Sequence, residues 1–380
     1  MEQSEMPIYP YMKHGKEHYY YAFEVKDKNG GRKTIKQRGY ETKGAARSAE
    51  RQARVDWEKG QYIDPSKMTV TEYMETFIDN KQDISPETRY TNKGHIKNHI
   101  NPSIGSILFQ KLNVDDIEKL VKSMQEKTLP NGKNLAEGTI RKIFNLVQTA
   151  YKAARKKELI VKNPFDQLDK GSRPRASKAK VDYWSVDEVK QFFSVLEHRQ
   201  KILFVLAIYT GMRRGEILGL RWKDVDLKNS QLRMRQTLKP KRRVKKGGKN
   251  GNAERSITIS KYVKSELKKH KAMIIQECWE QNREFKEDGF VVCNPDGQPA
   301  SLGNFHKFWT RVVKNTKMRY IRFHDLRHTC ASLLLTSGVH PKVVQELLGH
   351  SSIKVTLDLY SHLMPNMQSE AVNKLDEMLK

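Results

Sequence analysis

The sequence predicts a multidomain, mainly α-helical chain: a small N-terminal three-stranded β-sheet plus helix, then a helical bundle, then a larger α+β domain. Three observations predict it. The turn signal DKNGG joins two strand-like runs before residue 41. From Thr69 to Phe165 helix-cap signatures recur with no strand-like run between them. After a polar, aperiodic stretch, helices resume at Ser185 and are interrupted by one strand-rich segment. At 380 residues the chain has material for two or three buried cores.

Residues 1–64 form the first unit. HYYYAFEV and RKTIKQRGY read as strands, and a helix is expected from Lys43 to Lys59, packed on one face of the sheet. On the other face Tyr, Lys and Arg alternate, a pattern a β-ribbon can carry into a DNA major groove. Residues 67–168 are expected to hold four helices. TVTEYMETFIDNK opens with Thr69 and Glu72 in capping-box spacing, and SPETRYTNKGHIKNHI with Ser85 as cap and Pro86 in the first turn. NVDDIEKLVKSM is capped by Asn113, and EGTIRKIFNLVQTAYKAARKK completes the set. DKGSRPRASKAK, residues 169–180, reads as a linker. The domain at 181–365 starts with a second capping box, Ser185 to Glu188, and its strand-like VDLKNSQLRMRQTL and ERSITIS flank KPKRRVKKGGKNGNA. In the tail, residues 366–380, Met367, Val372, Leu375 and Leu379 are spaced as on a helix.

Lys and Arg number 71 against 44 Asp and Glu, a formal net charge of +27. The excess is +3 over residues 1–66, +9 over 67–180 and +15 over 181–380, so it belongs to every unit and not to one tail. Such a distribution points to a polyanion, double-stranded DNA before any other. No apolar run approaches the roughly 18 residues of a membrane span, and MEQSEMPIYPYMKHGKEHYYY lacks a secretory core with a cleavage site. The three cysteines, Cys278, Cys293 and Cys330, are odd in number and share no metal-ligand spacing, which fits a reducing cytoplasm.

Three stretches of the last domain carry chemistry. In RFHDLRHT, His324, Arg327 and His328 share one helix face, and three readings compete: a zinc site of the H-E-x-x-H kind with Asp325 as the acid, a self-satisfied helix start, or a grip on a phosphate. In IYTGMRRGEILGL, Gly211 can end an apolar helix and Arg213 then opens the next, either paired with Glu216 or free to hold a phosphate by its fork. In ELLGHSSIKVTLDLYSH, Tyr360 follows His350 by ten residues.

Taken together, residues 181–365 resemble the catalytic domain of tyrosine recombinases, the integrase family. TGMRRGE matches the first family box, HDLRHT the second, and LLGHSS with Tyr360 the third; the earlier segments are similar to an integrase's core-binding helical domain and arm-binding sheet. The resemblance implies a site-specific DNA recombinase that integrates and excises a mobile element, a prophage or conjugative transposon. Arg213 and Arg327 would be phosphate forks, His324 and His350 would contact the phosphate oxygens, and Tyr360 would be the nucleophile of a 3′-phosphotyrosyl intermediate. Against the family pattern K-T-x-x-S-x-R, KNGNAER aligns Lys249 with the lysine that protonates the leaving 5′-oxygen, with Arg255 trailing. It further implies no cofactor and no metal, arm and core attachment sites in DNA, a homotetramer on DNA, and an excisionase and a host DNA-bending protein as partners. Two alternatives stay in view: a type IB topoisomerase, and a DNA-binding regulator with a decayed site.

Overall fold

The computed structural model describes residues 7–26, 30–175, 182–239, 243–246, 255–300, 303–350, 352–363, 372 and 376–379. They form two compact units, residues 1–178 and 179–380.

The first unit opens with an antiparallel sheet in the order β1 (Ile8–Lys13), β2 (Lys16–Lys26), β3 (Arg32–Tyr40). His14 and Gly15, at φ 49° and 76°, make the two-residue turn between β1 and β2, the left-handed geometry that matches strand twist. Of the DKNGG turn only Gly30 and Gly31 are described; residues 27–29 lie outside the described residues. Because side chains alternate along a strand, Tyr21, Phe23 and Ile35 all face α1 (Lys43–Glu58) and bury against its Ala46 and Ala53. The opposite face carries Tyr20 stacked on Tyr9 with ring centroids 5.0 Å apart, and Lys36 and Arg38 lie over Tyr20 at 4.6 and 5.2 Å.

The bundle follows. α2 (Val70–Asp79) is capped by Thr69 and Glu72, and α3 (Pro86–His95) by Ser85, at the spacings the sequence predicts. α3 runs through one π-helical turn, Ile96–Ile100, into α4 (Asn101–Ile104). The cause is Pro102, which has no N–H to give to the carbonyl of Asn98. Lys127 fills that vacancy, its Nζ donating to Asn98 O at 2.6 Å. α5 (Val114–Glu126) and α6 (Glu137–Lys156) close the core, where Tyr73 and Tyr151 are buried and donate their hydroxyls to the carbonyls of Ala150 and Phe109 at 2.9 and 3.0 Å. The expected linker at 169–180 is not free along its first part: Ser172 donates to Glu118 at 2.6 Å, and Arg173 to the carbonyls of Phe165 and Leu168.

In the second unit α7 (Val186–Ser194), α8 (His198–Thr210) and α9 (Arg214–Gly219) precede two small ladders. One is β4 (Val225–Asp226), β5 (Gln231–Met234) and β8 (Arg255–Thr258) in the order β4-β5-β8; the other pairs β6 (Gln236–Lys239) with β7 (Arg243–Lys246). α10 (Lys261–Glu280), α11 (Phe305–Asn315), α12 (Asp325–Thr336), α13 (Pro341–Leu348) and α14 (Ile353–Leu363) follow. Trp184, Phe192, Phe204 and Trp309 fill the main core, each worth roughly 2–3 kcal/mol of burial. A satellite core of Cys330, Leu335, Val344, Leu348 and Leu359 ties α12, α13 and α14 together. Among the described residues no helix is long and apolar enough to cross a membrane.

Candidate active site

Two helices end in left-handed glycines, and their last carbonyls build the site. α8 ends at Gly211, φ 61°, and α13 at Gly349, φ 66°. Carbonyls at a helix C-terminus have no partner within the helix and carry the negative end of its dipole. Here arginines take them. Arg327 donates from Nη1 to Gly211 O and from Nη2 to Leu348 O, both at 2.6 Å. Arg213 donates to Gly349 O at 3.1 Å, and Arg255 to Leu348 O. Glu216 sits among them: one oxygen accepts from Arg213 Nη1 and the other from Arg255 Nη2, each at 2.9 Å. Two guanidinium groups therefore share one carboxylate, and a third, Arg327, meets Arg255 at the Leu348 carbonyl with no carboxylate of its own.

The electrostatics follow from that imbalance. Burial, and then the cations of Arg213 and Arg255, push the Arg327 pKa down to about 9; burial also lowers that of Arg255, against the pull of Glu216. Both remain protonated at neutral pH, so the site holds positive charge that an anion would stabilise. The histidines respond in the same direction. Burial lowers His324 to about 4, helped by His328 and Arg327, and lowers His350 to about 4, helped by Arg327 and Arg213.

The sequence-predicted residues are partly assembled. Arg213, Arg327 and His350 converge on the Leu348–Gly349 carbonyls or follow directly from them. His324 precedes α12 by one residue, its ring edge-to-face with His328 at 5.4 Å. Asp325 is buried and held by Arg322 through two contacts of 2.9 and 2.8 Å, which locks the start of that helix. Tyr360 lies in α14, whose preceding residue Leu359 is buried in the satellite core. Lys249 lies outside the described residues.

One contributor escaped sequence reasoning, and two were given lesser parts by it. Thr356 is fully buried and lies 2.9 Å from His350 Nδ1, which fixes that ring from α14; no local signal marks it. Arg255 appeared only as the trailing arginine of a hairpin pattern. Glu216 looked like a surface partner of Arg213, although its capping-box spacing could have suggested more; its oxygen accepts the backbone N–H of Arg213 at 2.9 Å. Among the described residues no group of three or more His, Cys, Asp or Glu could hold a metal ion.

A pH dependence follows from the histidines. Their folded pKa values lie below the unfolded value near 6.5, so the unfolded chain binds these protons more readily and stability is lost as pH falls from about 6.5 towards 4. Urea midpoints measured at pH 7.0, 5.5 and 4.5 are expected to fall more steeply for the wild type than for a His324→Asn/His350→Asn variant. Parallel slopes for the two proteins would refute the assignment.

A cluster of arginines with histidines beside it, in a chain that begins with a small basic sheet and a helical bundle, is the arrangement expected of an enzyme that acts on the phosphodiester bonds of DNA. Residues 183–367 match the phage integrase family, residues 69–125 a phage integrase N-terminal SAM-like domain, and residues 7–56 an arm DNA-binding domain. A tyrosine recombinase XerC-like protein of Caldanaerobacter subterraneus subsp. tengcongensis is 28% identical over 97% of this chain and 98% of its own. The ICEBs1 integrase of Bacillus subtilis is 28% identical, covering 80% of each chain. In fold, the chain is similar to the Tn1549 transposon integrase in complex with transposon right end DNA (TM-score 0.69, 20% identity, 81% of this chain and 100% of that one). It is also similar to a lambda integrase tetramer bound to a Holliday junction (TM-score 0.58, 18% identity, 94% and 96%). The chain belongs to the tyrosine recombinase family of site-specific DNA recombinases.

Proposed function

We propose that the chain cleaves and rejoins double-stranded DNA through a 3′-phosphotyrosyl link to Tyr360, and that it integrates and excises a mobile element. The observation that carries this reading is the convergence of Arg213, Arg255 and Arg327 on the carbonyls of Leu348 and Gly349, with Glu216 holding the first two. Phosphodiester exchange passes through a five-coordinate phosphorus with added negative charge, and each cationic fork aimed at it supplies a factor of about 10² to 10⁵. Arg213 and Arg327 are the forks. His350, oriented by Thr356, contacts a non-bridging oxygen, and His324, neutral at pH 7, accepts the phenolic proton. Tyr360 Oη attacks phosphorus, the bond to the 5′-oxygen breaks, and Lys249 protonates that leaving oxygen. The phosphotyrosyl bond conserves the free energy of the cleaved linkage, so a 5′-hydroxyl can reverse the step on the same or a different strand.

In this reading residues 1–64 bind arm-type sites through the face bearing Tyr9, Tyr20, Lys36 and Arg38, residues 67–168 bind core-type sites, and 181–365 perform the chemistry. The tail, 366–380, docks on a neighbouring protomer of a homotetramer. An excisionase and a host DNA-bending protein set direction. The integrase names of the relatives from ICEBs1 and Tn1549, and the tetramer named for lambda integrase, support the mobile-element and assembly parts.

The test uses a nicked duplex built from DNA flanking the element that encodes the chain, so that the 5′-hydroxyl fragment diffuses away and traps the covalent complex. A protein–DNA band on a denaturing gel is expected with wild type and absent with Tyr360→Phe, which still binds. A band that survives the substitution would mean another nucleophile; no band with either protein despite specific binding would favour a regulator. Recombination between two duplexes separates a recombinase from a topoisomerase.

A further inference from the structure

Arg214 follows Arg213 in sequence and takes no part in the arginine cluster. Its guanidinium lies over the ring of Phe305, 5.1 Å from the centroid. Among the described residues it has no hydrogen bond and no acidic partner, whereas Arg213, Arg255, Arg322 and Arg327 are each tied to a carboxylate or a carbonyl.

The platform beneath it is rigid. Phe305 is 4% exposed and meets Phe323 edge to face at 4.7 Å, and Phe323 immediately precedes His324. One aromatic pair therefore connects Arg214 to the second family box, while the backbone connects it to the first. A guanidinium held over a ring face, with no partner for its N–H groups among the described residues, keeps its fork free to receive a phosphate. A duplex strand carries one phosphate per roughly 3.4 Å of helix axis, so a phosphate held by the cluster brings its neighbours along.

We infer that Arg214 is a DNA-positioning residue that, held over Phe305, grips a phosphate flanking the one engaged by Arg213 and Arg327. It sets the register of the strand and does not touch the reacting atoms. The inference rests on the proposed strand-cleavage reading for what the neighbouring phosphate does, but its test reads binding alone.

The test is carried out in the Tyr360→Phe protein, so that no strand is cut. Equilibrium binding is measured on a set of duplexes, each with one phosphate replaced by a neutral methylphosphonate. With Arg214 intact, one linkage is expected to weaken binding about 10-fold. Adding Arg214→Ala should cause the same loss on unmodified DNA, abolish sensitivity at that linkage alone, and lower the slope of log K against log salt by about 0.9. Arg214→Lys should restore part of the sensitivity, and Phe305→Leu, which keeps the charge but removes the platform, should blunt it. Unchanged sensitivity at every linkage would overturn the inference. So would a uniform loss accompanied by a lower melting temperature, which marks a structural role. Mapping wild-type cleavage must place the sensitive linkage beside the cut; a distant linkage also refutes the register role. If cleavage itself fails, the binding scan still decides whether Arg214 holds a phosphate.

Discussion

Arg327→Ala is expected to lower strand cleavage by at least about 10³-fold while leaving DNA affinity within about threefold of wild type. Arg327 is 3% exposed and spans two helix ends, Gly211 O and Leu348 O, so its fork is held in place before any substrate arrives. A pre-oriented cation stabilises charge that develops in the transition state without reorganising, and losses of about 10² to 10⁵ are typical when such a group is removed. Affinity should change little, because the many phosphate contacts of a chain with net charge +27 dominate binding. Folding should also survive. The truncation takes a donor from the Gly211 carbonyl while Leu348 O keeps Arg255, and it removes a buried cation whose pKa has already been pushed down to about 9 by burial and by Arg213 and Arg255. Single-turnover cleavage, binding and thermal melting measured together check this. A loss of binding as large as the loss of cleavage would make Arg327 an anchor instead. Arg327→Lys should rescue little, since an ammonium keeps the charge but cannot bridge both carbonyls and a phosphate.

Gly349→Ala is expected to cost both stability and cleavage, for two separable reasons. The residue sits at φ 66°, where a side chain costs about 1–2 kcal/mol. A Cβ built there would lie 1.9 Å from Arg255 Nη1, so Arg255 must leave Leu348 O and loosen its hold on Glu216. Glu216 in turn holds Arg213. Gly338→Ala is the control: its φ of 84° brings similar strain, but a Cβ there meets nothing within 4 Å. Both variants should melt at lower temperature, and Gly349→Ala alone should lose cleavage, by about 100-fold or more, with DNA binding retained. Equal cleavage by the two variants would show that the arginine cluster tolerates displacement of Arg255.

These expectations rest on contacts of different legibility. Local signals were readable: Thr69 with Glu72 and Ser185 with Glu188 satisfy the first N–H groups of their helices, Gly211 supplies the left-handed turn that ends α8, and alternation along β2 and β3 separates a packed face from a Tyr/Lys/Arg face. Each depends on residues within a few positions of one another, where spacing is sufficient. The interrupted helix at Ile96–Ile100 was less legible, because its tolerance depends on Lys127, 29 residues from the carbonyl it satisfies. The contacts along the first part of the linker were less legible for the same reason: Ser172 is held by Glu118, 54 residues away.

By itself, then, the sequence determined the order of the units, the charge that calls for DNA, and the three boxes that name the chemistry. Only the tertiary structure decided how that chemistry is poised. Arg213 reaches Gly349 across 136 residues, Arg327 reaches Gly211 across 116, and Arg255 reaches Leu348 across 93. No periodicity encodes such pairings, because they exist only when the C-terminal carbonyls of two helices are brought against the same arginines. The folded chain thereby converts helix dipoles into counter-charges for a cluster whose members lie far apart in the linear sequence.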